Sequence, residues 1–320
     1  MSLGEFDLIR DYFTWDSGAD VATGVGDDAA VVDVPVGQQL VITTDTLIRD
    51  VHFPAETAAF DIGYKSLAVS LSDLAAMGAA PRWFTLALTL PQADEQWLAE
   101  FSAGLKALQT AGHPALVGGD TTRGPLTITI QAMGLVQKGK AVLRANARVG
   151  DDLYVTGTLG DAALGLRVVM DDLPPRLSAP MRDRCVQRLN RPRPRVRAGC
   201  SLAPFVSAMI DCSDGFLADL EHILQASGCG AEVDLPALPL SVAMQHHVGN
   251  AGWQLPLSGG DDYELIFTAD PGQRSVINGI ADLLDCPVTP VGRITSGLEL
   301  KLIQADHSRL LPDAEGFTHF

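Results

Sequence analysis

A chain of 320 residues with 47% hydrophobic and 19% charged side chains is long enough for two cores and too apolar for disorder. Its net charge of −16 argues against nucleic acid or an anionic membrane as the main partner, because both demand a cationic surface. No apolar run reaches bilayer length, and the start, MSLGEFDLIRDYF, has early acids and no apolar signal segment, so a cytoplasmic protein is expected. The five cysteines (Cys185, Cys200, Cys212, Cys229, Cys286) form no CxxC pair and are odd in number, which speaks against a zinc cluster or a disulfide framework.

In chain order, residues 5–13 read as a short amphipathic helix and QLVITTDTL (39–47) as a strand up to Asp45. Residues 61–77 have helical composition and end at Gly78, a plausible C-terminal cap. WFTLALTL (83–90) is a strand, residues 94–111 suit a helix ending at Gly112, and PALVG (114–118) and LTITIQAMGLV (126–136) are strand-like. This order predicts an N-terminal α/β half on a ferredoxin-like plan. A second α/β half starts near RVGDDLYVTG (148–157), where strand 153–157 turns at GTLGD into a helix. MIDCSDGFLADLEHIL (209–224) follows as strand, turn and helix, YELIFTA (263–269) as a strand, and 273–284 as a helix. The fold class is therefore α/β (α+β) in two domains, 1–147 and 148–320. LNRPRPRVRAG (189–199), a basic proline-rich island, reads as a stiff solvated connector rather than a phosphate cradle.

One device recurs along the chain: aspartate beside glycine or a small hydroxyl residue, read as a strand end or turn. It stands in GVGDDA (24–29), TTDT (43–46), GGDTTRG (118–124), DCSDG (211–215) and SGGDD (258–262). Any one of these could be a solvated turn. Asp73 adds weight, since it is the only charged residue of SLAVSLSDLAAMGAA (66–80). A carboxylate in so apolar a helix needs a buried partner or a metal, and the other aspartate sites favour the metal. Hard oxygen donors without Cys or His point to Mg²⁺, which commonly bridges carboxylates to substrate phosphates. Arg123 and Arg144 are candidate phosphate partners. No P-loop, protein-kinase signature or Ser-His-Asp pattern is present. The residues alone thus indicate a magnesium-dependent enzyme acting on phosphates.

The segments GVGDDAAVV, TTDTLIRDVHF, YKSLAVSLSDLAAMGA, GGDTTRGP, TGTLGDAALGL, DCSDGFLADLEHIL and SGGDDYELIF, with the ending GFTHF, closely resemble the thiamine-monophosphate kinase family, in that family's order. The resemblance implies a fold shared with aminoimidazole ribonucleotide synthetase and selenophosphate synthetase. It also implies a homodimer whose N-terminal sheets join, and transfer of the ATP γ-phosphate directly to thiamine monophosphate. Position by position it implies Asp28, Thr43, Thr44, Asp45, Asp73, Asp120, Asp211 and Asp214 as holders of several Mg²⁺ ions, with Asp120, Asp211 and Asp214 closest to the chemistry. It implies Gly119, Asp120, Arg144 and Ser213 for ATP, and His52, Asp261 and Phe317 for thiamine monophosphate. Glu is commoner in the family at position 261 and Trp at position 317. Selenophosphate synthetase commonly uses a reactive Cys or selenocysteine near its N-terminus, and this chain has no cysteine before Cys185. A metal-dependent phosphatase would also need clustered carboxylates, and ADP formation that requires thiamine monophosphate separates the two activities.

Overall fold

The computed structural model describes residues 5–15, 18–110, 114–172, 177–284 and 286–310. The chain divides into two compact units, Met1–Leu74 with Ala79–Gly139, and Ala75–Gly78 with Lys140–Phe320. No described helix is long and apolar enough to cross a membrane.

In the first unit a short helix α1 (Glu5–Leu8), continued by a wider helical turn over Ile9–Phe13, precedes a two-stranded ribbon, β1 (Val21–Thr23) and β2 (Val31–Val32). Then come β3 (Gln38–Ile48), α2 (Ala59–Ala76), β4 (Ala80–Leu90), α3 (Glu95–Lys106), β5 (Ala115–Arg123) and β6 (Thr127–Gln137). The sheet order is β3-β6-β4-β5, with β4 and β5 parallel and the other neighbours antiparallel. The strand–helix–strand–helix–strand–strand order is the one the sequence predicts. α3 starts where the Asp94 carboxylate accepts the N–H of Trp97, a side-chain cap. α2 is buried nearly all round, and Asp73 is one of the few residues of its C-terminal half with partial exposure.

Two strands run further than the sequence suggests. β3 continues to Ile48 and β5 to Arg123, so TTDT lies in the interior of a strand, and GGDTTR forms the C-terminal end of a strand rather than the turn after it. Their β-branched threonines suit a pleated surface better than a turn.

The second unit is a seven-stranded sheet in the order β13-β12-β9-β11-β7-β10-β8. Its strands are β7 (Asp152–Thr156), β8 (Ala208–Asp211), β9 (Gly230–Asp234), β10 (Leu265–Ala269), β11 (Val288–Thr295), β12 (Leu300–Ile303) and β13 (Arg309–Leu310). Only the β12–β9 pair is parallel. Helices are α4 (Asp161–Val169), α5 (Ala179–Asn190), α6 (Val196–Leu202), α7 (Phe216–Ser227), α8 (Val242–Ala251), α9 (Gln254–Ser258) and α10 (Arg274–Leu284). Leu153, Val155, Ile210 and Ile266 pack with Phe216, Leu220 and Ile223 of α7 on one face. Tyr154, Met209, Leu265 and Phe267 pack with α6 and α10 on the other. Both faces are covered, which is why β7, β8 and β10 are buried throughout rather than alternating between buried and exposed residues.

Candidate functional site

Along β3 successive side chains alternate between faces. Thr43, Asp45 and Leu47 turn to one face, half-buried or buried, while Thr44, Thr46 and Ile48 are exposed on the other. The inward face meets α2. Thr43 Oγ1 donates to Asp73 Oδ2, and Ser70 Oγ donates to Asp45 Oδ2 at 2.6 Å. Two carboxylates and two hydroxyls are thus gathered where strand and helix touch. Burial, and then the negative charge of Asp73, push the Asp45 carboxyl up to about 6, with the Ser70 hydrogen bond pulling the other way. A cation between the two acids would reverse that repulsion, and the donors are all hard oxygens, so the residues fit Mg²⁺. Among the described residues no group of three or more His, Cys, Asp or Glu side chains is arranged around one point.

Asp120 is elsewhere in the same sheet. It pairs with Ala87, Ala87 with Thr129, and Thr129 with Thr46, so all four side chains share the outward face. Asp45 pairs instead with Ile130, Ile130 with Leu86, and Leu86 with Gly119, the inward row. Asp45 and Asp120 therefore point to opposite faces from opposite edge strands, three strand spacings or ~14 Å apart. Gly119 is required by packing: a Cβ there would lie 1.9 Å from the Leu86 carbonyl oxygen. Asp28 is exposed in the β1–β2 turn, where its N–H donates to Asp27 Oδ1 at 2.8 Å. The two acids are held in the turn, and the apolar residues after them do not draw them inward. His52 is half-buried, and its Nδ1 accepts the N–H of Ile48 at 2.9 Å, which puts the proton of the neutral ring on Nε2.

In the second unit Asp211 ends β8, buried, and the turn Cys212–Gly215 leads into α7. Gly215 has φ 124°, open to glycine alone at this junction, where a Cβ would lie 2.8 Å from the Ser258 carbonyl carbon. Asp219, in the first turn of α7, reaches back to accept the N–H groups of Asp214 (3.0 Å) and Gly215 (3.1 Å). Burial and then the charge of Asp214 push Asp219 up to about 7, opposed by those backbone hydrogen bonds. Asp261 N–H donates to the Ser213 carbonyl at 2.8 Å, and Tyr263 Oη donates to Asp261 Oδ1 at 3.2 Å. Ser213, Asp214 and Asp261 are therefore brought to one corner of this unit. Arg144 is exposed, and its carbonyl accepts from Ser227 at the far end of α7, ~17 Å along the helix from Phe216. Phe317 lies outside the described residues.

Two carboxylates of the SGGDDYE segment, Asp262 and Glu264, receive no individual role from the sequence. Asp262 is buried and accepts the Gly160 N–H at 2.5 Å, at the start of α4. Glu264 is fully buried and is gripped by Arg188 and Arg195. The proline-rich island is consequently more than a solvated connector: Arg195 turns inward to a buried partner, while Arg191, Arg193 and Arg197 are exposed. The signal available in sequence was charge parity, since an acid heading a mostly apolar strand needs a cation nearby.

The chain matches the AIR synthase related protein N-terminal domain over residues 26–136 and the corresponding C-terminal domain over residues 148–304. It is 45% identical to the thiamine-monophosphate kinase of Salmonella typhimurium over 323 residues, covering 100% of this chain and 99% of that one. The crystal structure of the thiamine-monophosphate kinase from Stenotrophomonas maltophilia K279a superposes with a TM-score of 0.84 at 48% identity, covering 94% of this chain and 97% of the other. AaThiL complexed with AMPPCP and TMP superposes at 0.75 with 27% identity, covering 98% and 96%. With both domains matched and nearly the whole length shared, the chain belongs to the thiamine-monophosphate kinase family of AIR synthase related proteins.

Proposed function

We propose that the protein phosphorylates thiamine monophosphate with ATP to give thiamine diphosphate, by direct in-line transfer. The observation that carries this reading is the full-length likeness to thiamine-monophosphate kinases, one of them solved with AMPPCP and TMP. The acceptor is a phosphate oxygen, already anionic at neutral pH, so the chain needs no strong general base. Its task is to bring two anionic groups together and align them.

The residues that would hold Mg²⁺ are Asp28, Thr43, Thr44, Asp45, Asp73, Asp120, Asp211 and Asp214. Bound there, the metal supplies neutralisation of the phosphate charge. The paired acids Asp45 and Asp73, with Thr43 bonded to one and Ser70 to the other, support this assignment. Thr44 faces away from them on β3. Gly119, Asp120, Arg144 and Ser213 bind ATP in this reading, and His52, Asp261 and Phe317 bind the acceptor. His52 offers Nε2–H as a donor, and Asp261 offers a carboxylate to a cationic ring. Asp120, Asp211 and Asp214 act nearest the transferred phosphoryl group.

Residues 1–147 form the ATP- and metal-binding domain, and residues 148–320 the domain that supplies Asp211, Ser213, Asp214 and Asp261. The protein works as a cytoplasmic homodimer joined through the N-terminal sheet. Support for this lies on β3, an edge strand whose exposed face carries Leu40, Ile42 and Ile48 along with Thr44 and Thr46, since an open edge invites strand pairing. Further support is the placement of Asp45 and Asp120 on opposite faces, which a second copy reconciles. Incubation with Mg·ATP and thiamine monophosphate, with products resolved by mass, tests the function. Thiamine diphosphate and ADP in equal amounts are expected. Phosphate release without ATP would make it a phosphatase instead.

A further inference from the structure

Arg188, in the last turn of α5, and Arg195, just before α6, carry no role in the reading above, yet both turn inward. Their side chains are 12% and 17% exposed, and that of Glu264 is 0% exposed. Arg195 meets Glu264 fork to fork, Nε to Oε2 and Nη2 to Oε1, both at 2.6 Å. Arg188 Nη2 donates to Glu264 Oε1 at 2.9 Å and to the carbonyl of Asp262, also at 2.9 Å. Thr156 Oγ1 donates to Glu264 Oε2 at 2.7 Å and accepts the Leu265 N–H at 2.8 Å. Residue 157 must be glycine, because a Cβ would stand 2.1 Å from Glu264 Oε1.

The main chain of Glu264 is part of a seam. Its carbonyl accepts the Cys212 N–H at 2.7 Å, Tyr263 N–H donates to the Cys212 carbonyl at 2.8 Å, and Asp261 N–H donates to the Ser213 carbonyl at 2.8 Å. These bonds set the register between the DCSDG turn and the SGGDDY loop. Asp261 and Tyr263 both sit at left-handed φ, 69° and 51°. Such conformations persist in non-glycine residues only where the surroundings over-determine them. Apolar packing is non-directional and leaves a loop's register loosely set, whereas a bidentate charged pair fixes both distance and angle.

We propose that Arg195, assisted by Arg188, is a positioning residue: through Glu264 it holds Asp261 in register with Ser213 and Asp214, and so sets acceptor affinity without touching the acceptor. The proposal rests on the kinase reading for the identity of the acceptor, but the positioning itself is a property of the loop. The rival role is a buried ion pair that only holds the unit folded.

The test is a double-mutant cycle of Arg195→Lys with Asp261→Asn, read by the KM for each substrate and by amide hydrogen exchange. Lysine keeps the charge and loses the fork. Arg195→Lys is expected to raise the KM for thiamine monophosphate by about tenfold, leave that for ATP unchanged within about twofold, and add little once Asp261 is Asn, as coupled neighbours do. Exchange should quicken at the amides of Cys212, Asp261 and Tyr263 and stay slow at Phe267 in mid-β10. Glu264→Gln, of the same shape, runs through the same measurements and decides the matter if the lysine variant does not fold. The proposal is overturned if the two KM values rise together, if the effects multiply in the double variant, or if the three amides keep wild-type protection. A wild-type protein inactive on thiamine monophosphate would sink the kinase reading alone, and the exchange data would still decide the positioning.

Discussion

The hydroxyl of Thr43 on β3 is bonded to the carboxylate of Asp73 on α2, so a strand and the helix that follows it in the chain meet at one acid. Removing the charge at Asp73 should leave α2 in place, because Leu67, Ala68, Leu71, Leu74 and Ala75 of the helix are buried independently of it. Asp73→Asn is expected to lose activity by about 100-fold or more at moderate Mg²⁺, with Thr43→Val losing roughly tenfold, the size seen when a ligand's supporting hydrogen bond goes. A magnesium titration at constant ATP checks it. Normal turnover of Asp73→Asn at every concentration would remove Asp73 from the metal site.

Asp45 and Asp120 face opposite ways from opposite edges of one sheet. If two copies join to complete each site, Asp45→Ala and Asp120→Ala are each inactive alone. Mixed and re-equilibrated, half the dimers would pair the two variants, and each such dimer would carry one site with neither substitution. Activity should then return to roughly a quarter of wild type, as expected for a two-fold symmetric pair. No recovery in a mixture shown by sedimentation to exchange subunits would mean that the site lies within one copy.

Gly119 packs against the β4 backbone, and a Cβ would meet the Leu86 oxygen at 1.9 Å. Gly119→Ala should therefore lower stability by about 2 kcal/mol or more, as overpacking against backbone does. Chemical denaturation measures it. An unchanged midpoint together with weaker ATP binding would mean that the glycine serves the nucleotide rather than the sheet.

The fold's broad plan was legible because β3, β4, β6 and α2 carry strong periodicity or long apolar runs. What escaped had physical reasons. β9, β12 and β13 are short and share residues such as Gly230, Glu232 and Lys301 with ordinary loops, and only their neighbours in the sheet make them strands. The candidate acids were visible as a repeated Asp-Gly-hydroxyl pattern, but which face each occupies depends on register. No local signal separates Asp45 from Asp120 in that respect. Glu264 was hidden at the head of an apolar strand, its arginines some 70 residues away.

Asp262 provides a pH test. Burial pushes its carboxyl from an ordinary 3.8 up to about 8, although Arg188 and the Gly160 N–H pull the other way. Between those values the folded state holds a proton that the unfolded state has lost. This stabilising contribution is complete below the unfolded pKa and is lost as pH rises through about 8, at on the order of 1 kcal/mol per pH unit. Denaturation midpoints from pH 6 to 9 should fall more steeply for wild type than for Asp262→Asn, which cannot ionise. Parallel profiles would show that Asp262 is already ionised in the fold.

Asp261 has two properties that a single substitution usually confounds, a negative charge and a backbone at φ 69°. Asparagine tolerates the left-handed region about as well as aspartate, so Asp261→Asn removes the charge and keeps the loop. Alanine removes the charge and also disfavours the backbone. If the carboxylate faces the cationic ring of thiamine monophosphate, Asp261→Asn should raise the acceptor KM by about tenfold, the size of one lost charge contact, with ATP kinetics and the melting temperature unchanged. Asp261→Ala should show the same acceptor effect plus a loss of stability. Tyr263→Phe, which deletes the hydroxyl held 3.2 Å from Asp261 Oδ1, should give a smaller shift in the same direction. Should Asp261→Asn match wild type while Asp261→Ala fails for both substrates, position 261 shapes the loop and the acceptor's cation is met elsewhere.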